Sequence, residues 1–312
     1  MNKIIQRIKN AKHIVVISHV NPDADSICSA SAMYTYLLQE HKKVSWFCKT
    51  KKIDSKLSFI PWFEKIRDSF PSSADLAISL DCGDIKRLGV EVECNLINID
   101  HHASNTNFAA FNLVDHNAMS TTMVLFDLFK TNGIKINKKI ATALYGGLLD
   151  DSNGFMDEKV DGTIFAVVKE LIECGAEHNV CNKFIMKSVS LAALRLKAIM
   201  FKNMRLEAGA RIAIFCVSDE DMKSTGAVGQ DCESPLEESL YLPHVEVAML
   251  LKQNSDFTLK GSIRCNSGVN ASKIASNFGG GGHASRAGFN INSVVQIEDV
   301  QKEVLNLIKK EM

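Results

Sequence analysis

Short apolar runs alternate with longer stretches of helical periodicity through the first half of the chain. Runs rich in β-branched residues predict four buried strands, at 13–18 (HIVVIS), 44–48, 76–80 and 96–99. Apolar residues at helical spacing predict four helices, at about 26–39, 119–131, 138–149 and 160–174. This alternation of strands and helices predicts an α/β fold with a mostly parallel sheet flanked by helices.

The second half begins with a helical stretch at 188–207 that contains neither Gly nor Pro. After it come further strand patterns at 211–217, 245–251 and 258–264, with an acidic helical stretch near 232–240. At 312 residues the chain exceeds a typical single domain, so two domains are expected. We therefore predict a first domain over 1–187, a linker helix over 188–207 and a smaller α/β domain over 208–312.

Composition indicates which kinds of substrate the protein could bind and in which cell compartment it is expected. Lys plus Arg and Asp plus Glu both total 36, and this neutrality argues against long duplex DNA and for a short or small phosphorylated substrate. Nine scattered cysteines without a C-x-x-C pair are typical of a reducing cytoplasm. The N-terminal apolar run is too short to span a bilayer, so no membrane partner is expected. A homodimer is plausible, although no sequence patch indicates one.

Four polar segments carry the candidate chemistry, and each is expected just after a strand: HVNPDAD at 19–25, LDCGD at 80–84, DHH at 100–102 and LLDDSNGF at 148–155. Taken singly, an Asp after a strand is commonly only a helix N-cap. Together they supply carboxylates and imidazoles, which suit Mn²⁺ or Mg²⁺, on strand ends that one sheet would bring together. A bridging carboxylate with ligands on both sides can hold two metals, so the pattern predicts a two-metal hydrolase.

The four segments, in this order, resemble the motifs of the DHH phosphoesterases, which include the RecJ exonucleases, the manganese pyrophosphatases and the nano-RNases. A fifth segment, GGGGHASRAGF at 279–289, is similar to the substrate-binding motif of the DHH-associated C-terminal domain. The resemblance covers nearly the whole chain. One departure lies in the segment after motif one, where Cys28 replaces the usual Gly and could crowd the start of the helix.

The resemblance implies two divalent metal ions, with Mn²⁺ expected and Mg²⁺ or Co²⁺ as alternatives. The first ion would be held by His19, Asp23 and Asp81. The second ion would be held by Asp25, Asp81, His101 and Asp151, so that Asp81 bridges the two. The catalytic residues would be His102, in contact with the scissile phosphate or the leaving group, and Asp100, which would orient the histidine pair. Five residues of the second domain would hold substrate: Arg264, Gly280, Gly281, Gly282 and His283.

Within the family, the length and the GGGGH motif favour the nano-RNase and pAp phosphatase branch over RecJ and the pyrophosphatases. The expected function is metal-dependent hydrolysis of short oligonucleotides, including linear dinucleotides such as pGpG and pApA, and removal of the 3′-phosphate of pAp. Two alternatives remain open. One is a phosphodiesterase directed at cyclic di-AMP, and the other is a nucleotide-binding module without catalysis.

Overall fold

The computed structural model describes residues 3–266 and 268–312, and the chain divides into two compact units, Met1–Ser188 and Val189–Met312. The first unit contains six strands: β1 (His13–Ser18), β2 (Lys43–Phe47), β3 (Ile66–Arg67), β4 (Leu76–Leu80), β5 (Asn95–Asp100) and β6 (Phe111–Val114). Its α-helices are α1 (Lys3–Asn10), α2 (Ala24–Gln39), α3 (Thr121–Thr131), α4 (Lys138–Asp151), α5 (Gly162–Glu173) and α6 (His178–Cys181). The predicted α/β architecture is confirmed.

The six strands of the first unit form one sheet in the order β3-β2-β1-β4-β5-β6, and every neighbouring pair is parallel. The chain leaves β1 towards one edge of the sheet and returns at β4 on the other side of β1. Loops after strands that flank such a reversal diverge, which leaves a crevice at the carboxyl ends of the strands. The segments that begin at His19 and at Asp81 follow β1 and β4, so both lie at this crevice.

Helices α2 and α4 pack closely in the core of the first unit. Nearly the whole of α2, from Ala24 to Leu37, is buried. From the sequence, the Cys28 side chain could crowd the start of α2, but in the structure it is accommodated and fully buried. It fits because residue 146 on the facing helix α4 is a glycine, and a Cβ at that position would lie 2.9 Å from the Cys28 sulfur.

The second unit contains a mixed sheet of six strands: β7 (Arg205–Glu207), β8 (Ile212–Val217), β9 (Val247–Gln253), β10 (Leu259–Cys265), β11 (Gly281–Gly282) and β12 (Arg286–Ile291). Its α-helices are α7 (Leu191–Asn203), α8 (Asp219–Thr225), α9 (Glu233–Ser239), α10 (Ala271–Ser276) and α11 (Ile297–Glu311). The strands run in the order β11-β12-β10-β9-β8-β7, and only β8 and β9 pair in parallel.

The helix expected to link the domains belongs to the second unit. It spans Leu191–Asn203, shorter than the predicted 188–207, because the chain enters β7 at Arg205. Leu196 and Met200, one turn apart on α7, lie in one hydrophobic cluster with Phe215 of β8. The apolar periodicity of this stretch was visible in sequence, but the surface against which it packs was not.

Short elements escaped the sequence prediction. Strands β3 and β6 span two and four residues, too few to establish an alternating pattern. Within the described part of the chain, no helix combines the length and apolar character required to cross a bilayer.

Candidate functional site

The segment after β1 turns sharply before α2 begins. Asn21 adopts a left-handed φ of 53°, which asparagine tolerates better than most residues, and Pro22 follows it. Asp23 caps α2 by accepting a hydrogen bond from the Ser26 N–H at 3.1 Å. The helix therefore starts at Ala24, two residues earlier than predicted, and Asp25 lies in its first turn.

The carboxylate of Asp25 is held by the N-terminus of α3. Its two oxygens accept hydrogen bonds from the backbone N–H groups of Thr121, at 2.8 Å, and Thr122, at 3.2 Å. Free N–H groups at a helix start favour a negative charge. Sequence reasoning missed both threonines. The run Ser120-Thr-Thr at the start of a predicted helix was the available signal, but nothing in it pointed to Asp25, almost a hundred positions away.

Asp81 lies at the centre of the cluster with its side chain 2% exposed. Its backbone has a left-handed φ of 57°, an unfavourable conformation for an aspartate that typically persists where the surrounding structure imposes it. The Asp81 N–H donates to the Ile99 carbonyl at 3.0 Å, and the Thr121 hydroxyl donates to the Asp81 carboxylate at 3.0 Å. These contacts fix the position of a carboxylate that faces several candidate ligands.

Two of the predicted ligand histidines are oriented by backbone carbonyls. Nδ1 of His19 lies 2.9 Å from the Val20 oxygen, and Nδ1 of His101 lies 3.2 Å from the Ala118 oxygen. In His101, a proton on Nδ1 satisfies the carbonyl and leaves Nε2 as a free lone pair, which is the arrangement typical of metal-binding histidines.

The Nε2 atoms of both rings face aspartates. Nε2 of His19 lies 3.5 Å from one oxygen of Asp81, and Nε2 of His101 lies 3.7 Å from the other oxygen. His101 also lies 3.2 Å from Asp151. Three groups of candidate ligands each have donor atoms within 4.8 Å of one another: His19, Asp23 and Asp81; Asp25, His101 and Asp151; and Asp81, His101 and His102. All six predicted metal ligands thus occur in these groups, and Asp81 occurs in two of them.

Asp151 lies on a different type of element from the one expected. The segment LLDDSNGF was expected just after a strand, but Asp151 is the last residue of helix α4. The side chain reaches the cluster because α4 packs along α2 and ends at the same edge of the sheet as the strands.

Asp100 contacts only one of the two histidines that it was expected to orient. Its carboxylate accepts a hydrogen bond from Nδ1 of His102 at 2.7 Å and another from the Asn105 amide, whereas His101 is held by a backbone carbonyl. Asp100 therefore orients His102 alone rather than the histidine pair. This hydrogen bond raises the pKa of His102 above its ordinary value, against the opposing effect of burial.

The carboxylates of the cluster repel one another. Burial, followed by the charges of Asp25 and Asp81, raises the pKa of Asp151 to about 11. Burial also raises the pKa of Asp25, with Asp81 as the largest neighbouring cause. Burial would raise the pKa of Asp81 as well, but the surrounding imidazoles lower it to about 2. Divalent cations suit these close, buried oxygen and imidazole donors, because such ions would neutralise the excess of carboxylate charge.

Arg87 is a further residue that sequence reasoning missed. It lies in a short 3₁₀ helix, Ile85–Leu88, directly after the second motif. One guanidinium nitrogen of Arg87 lies 2.9 and 3.2 Å from the ring nitrogens of His19, and the Arg87 carbonyl accepts from the Val20 N–H at 2.8 Å. A cation therefore adjoins the carboxylate cluster on the side of β1.

The predicted substrate residues of the second unit lie on three neighbouring strands. Arg264 on β10 pairs with Arg286 on β12, and on the other side of β12 Gly282 of β11 pairs with Ala287. The exposed His283 follows β11 directly. Because neighbouring strands lie about 5 Å apart, the glycine segment and Arg264 adjoin the same end of β12.

The glycine run has a structural cause that the sequence analysis did not foresee. A Cβ at Gly280 would lie 2.3 Å from the Gly288 oxygen, and a Cβ at Gly282 would lie 2.4 Å from the Arg286 oxygen. The Gly280 N–H already donates to the Ala275 carbonyl at the end of α10. Of the predicted glycines, only Gly281 has open space around its Cα, so the run is not a simple cradle of free N–H groups.

Arg264 is buried and already paired. Its guanidinium donates to the Glu233 carboxylate on α9, and its Nε lies 3.6 Å from Glu237. Glu237 also accepts a hydrogen bond from Arg286. The arginine expected to meet a substrate anion thus shares its charge with carboxylates of its own unit.

Residues 13–148 match the sequence profile of the DHH family, N-terminal domain, and residues 210–310 match that of the DHHA1 domain. The chain therefore carries a DHH-family N-terminal domain followed by a DHHA1 domain, which confirms the resemblance inferred from the motifs.

Two relatives and one solved structure are similar to this chain over nearly its whole length. The chain is 26% identical to the bifunctional oligoribonuclease and PAP phosphatase NrnA of Thermus thermophilus, over 96% of this chain and 90% of that protein. It is 23% identical to the probable bifunctional oligoribonuclease and PAP phosphatase NrnA of Streptococcus mutans, over 98% of both. An exopolyphosphatase-related protein from Bacteroides fragilis has the same fold, with a TM-score of 0.88 at 23% identity over 98% of this chain and 94% of that one.

Proposed function

We propose that the protein is a phosphoesterase that hydrolyses short oligonucleotides to mononucleotides and removes the 3′-phosphate of pAp. The observation that carries the proposal is the group of aspartates and histidines around Asp81, whose donor atoms lie within 4.8 Å in three overlapping sets. The names of the Thermus and Streptococcus relatives describe these two activities, which supports the choice of substrate class.

Two divalent ions, with Mn²⁺ expected, would be held by six residues: His19, Asp23, Asp25, Asp81, His101 and Asp151. When bound, such ions act as Lewis acids that lower the pKa of water and neutralise phosphate oxygens. The two oxygens of Asp81 face His19 and His101 respectively, which supports a bridging role for this carboxylate.

His102 would act on the substrate itself. Its Nδ1 is committed to Asp100, so Nε2 is the nitrogen available to a phosphate or a leaving oxygen. Because Asp100 raises the pKa of His102, a larger fraction of the rings is protonated near neutral pH. The protonated ring can donate a hydrogen bond to the phosphate and a proton to the departing oxygen.

The second unit would bind the nucleotide through Arg264, Gly280, Gly281, Gly282 and His283. The exposed His283 offers an imidazole to an anion, and Gly281 leaves open space where a side chain would otherwise stand. Arg264 can contribute a planar guanidinium, provided that a phosphate competes with Glu233 for it.

An activity panel with the purified chain tests the proposal. Linear di- to pentanucleotides, pAp and cyclic di-AMP would be incubated with Mn²⁺, Mg²⁺ or Co²⁺, and the release of mononucleotide and phosphate would be measured. We expect turnover of the linear dinucleotides and of pAp with Mn²⁺. Faster turnover of cyclic di-AMP than of its linear product would favour the cyclic dinucleotide alternative. Tight dinucleotide binding without any product, with all three metals, would refute an enzyme and favour a binding module.

A further inference from the structure

A cavity in the first unit lies outside the residues assigned so far. Its volume is about 820 Å³, and it lies where β2 and β3 end, bounded by the segments 48–55 and 63–68. We call it the β2–β3 pocket. None of the predicted ligand, catalytic or substrate residues lines it. Cavities of this size hold small organic ligands.

Part of the pocket lining is apolar and includes the aromatic residue Phe63. Phe63 and Ile66 on one side and Cys48 and Ile53 on the other contribute to its lining, and all four are buried or half-buried. An aromatic side chain next to apolar surface can stack on a nucleobase, since every base presents a flat π-face.

The rim of the pocket carries an excess of positive charge. Three cations, Lys51, Lys52 and Arg67, face two carboxylates, of which Asp68 is 4.0 Å from Lys51. Lys52 has no ion-pair or hydrogen-bond partner among the residues that the structure describes.

Arg67 is held in place without a carboxylate. Its Nη1 donates to the backbone carbonyls of Glu64 and Ile66, both at 2.7 Å, and its Nη2 has no hydrogen-bond partner within residues 3–266 and 268–312. A guanidinium fixed in this way and not neutralised suits a phosphate.

The pocket is joined to the loop that carries the candidate metal ligands. The Thr50 hydroxyl, on the pocket wall, accepts a hydrogen bond from the Asn21 N–H at 2.7 Å, two residues from both His19 and Asp23. The Cys48 thiol donates to the His19 carbonyl at 3.5 Å. Since β2 and β3 follow β1 in the sheet at spacings of about 5 Å, the pocket begins one strand away from the cluster.

We propose that the β2–β3 pocket binds the nucleotide that follows the scissile phosphate in a short linear oligonucleotide and that pAp lacks, with its base against Phe63 and its 3′-phosphate at Lys52 and Arg67. The proposal rests on the proposed function, because it assigns one part of that substrate. It predicts that the pocket discriminates between substrates with two nucleosides and those with one.

The test compares pApAp, a dinucleotide that carries a 3′-phosphate, with pAp on the full-length chain. The double variant K52A/R67A removes the two unpaired cations, and K65A is the matched control, because Lys65 is an exposed cation on the neighbouring 3₁₀ helix that does not line the pocket. Dissociation constants would be measured in EDTA and KM values in Mn²⁺. We expect K52A/R67A to weaken pApAp binding by about tenfold, or about 1.4 kcal/mol, and pAp binding by less than about twofold. The K65A variant should bind both ligands as the wild type does.

Two further arms make the result decisive. The dinucleotide pApA, which has the same two nucleosides but no 3′-phosphate, should lose its sensitivity to K52A/R67A. The single variant K52A, which breaks no internal contact, should show part of the same effect if the double variant unfolds. Equal weakening of pApAp and pAp, or no weakening of either, would overturn the pocket assignment.

The two proposals fail separately. Hydrolysis of both substrates with no selective effect of K52A/R67A would leave the proposed function standing and remove the pocket. Selective loss of pApAp binding in a chain that hydrolyses neither substrate would remove the proposed function and leave the pocket.

Discussion

Gly147 on α4 is the point at which a single added methyl group should disturb the candidate metal site without replacing any of its predicted ligands. A Cβ at Gly147 would lie 2.3 Å from Oδ1 of Asp25 and 2.5 Å from Cγ2 of Thr122, distances that real Cβ atoms do not show. The substitution Gly147→Ala therefore forces Asp25 to retreat to at least about 3.0 Å, or moves the first turn of α3.

The expected magnitudes separate stability from function. Ala is favoured over Gly inside a helix by about 1 kcal/mol, and overpacking a core costs about 1–3 kcal/mol, so the net loss of stability should be about 0–2 kcal/mol. Asp25, however, must leave N–H donors that lie 2.8 and 3.2 Å away. Misplacement of a site group on the order of 1 Å costs about a hundredfold in rate, so we expect kcat/KM to fall by about that factor.

Thermal unfolding with and without Mn²⁺, together with hydrolysis of pApA, measures both effects. The Gly147→Ala protein should remain folded, with a smaller Mn²⁺-induced rise in Tm than the wild type. Gly162→Ala is the matched control, because Gly162 begins α5 and a Cβ there would have no atom within 4 Å. This control should keep full activity. Wild-type hydrolysis and an unchanged Mn²⁺ response in Gly147→Ala would refute the argument that Asp25 binds metal where it now lies.

Three further predictions follow from the same geometry. Asp81→Asn keeps a side chain that tolerates the left-handed φ of 57° but removes the shared charge, so the Mn²⁺-induced rise in Tm and the hydrolysis of pApA should both disappear; retention of either contradicts the bridging assignment. Asp100→Asn removes the cause that raises the pKa of His102, so the alkaline limb of the kcat–pH profile should move to lower pH, and an unmoved limb would exclude His102 as the proton donor. Arg264→Lys keeps the charge but loses the planar fork, so KM for pAp should rise severalfold with little change in kcat; a change in kcat alone would argue against a binding role.

The sequence by itself determined the elements that depend on local pattern. The bounds of β1 and β4 were predicted correctly from runs of five or six apolar and β-branched residues, because a strand buried on both faces leaves a continuous apolar signal. The types and spacing of the candidate ligands were equally visible. Carboxylates and imidazoles at the ends of predicted strands indicated a hard-metal site before any distance was known.

Only the tertiary structure decided which of these residues meet and what surrounds them. The N–H groups of Thr121 and Thr122 hold Asp25 across nearly a hundred positions, and Asp151 enters the cluster from a helix rather than from a strand. Two glycines of the GGGGH run turned out to be required by the close approach of β12. Periodicity within a short window reports which face of an element is buried, but it carries no information about the partner on that face. Contacts between distant segments follow from the packing of the whole sheet and its helices, and they bring the candidate metal ligands together.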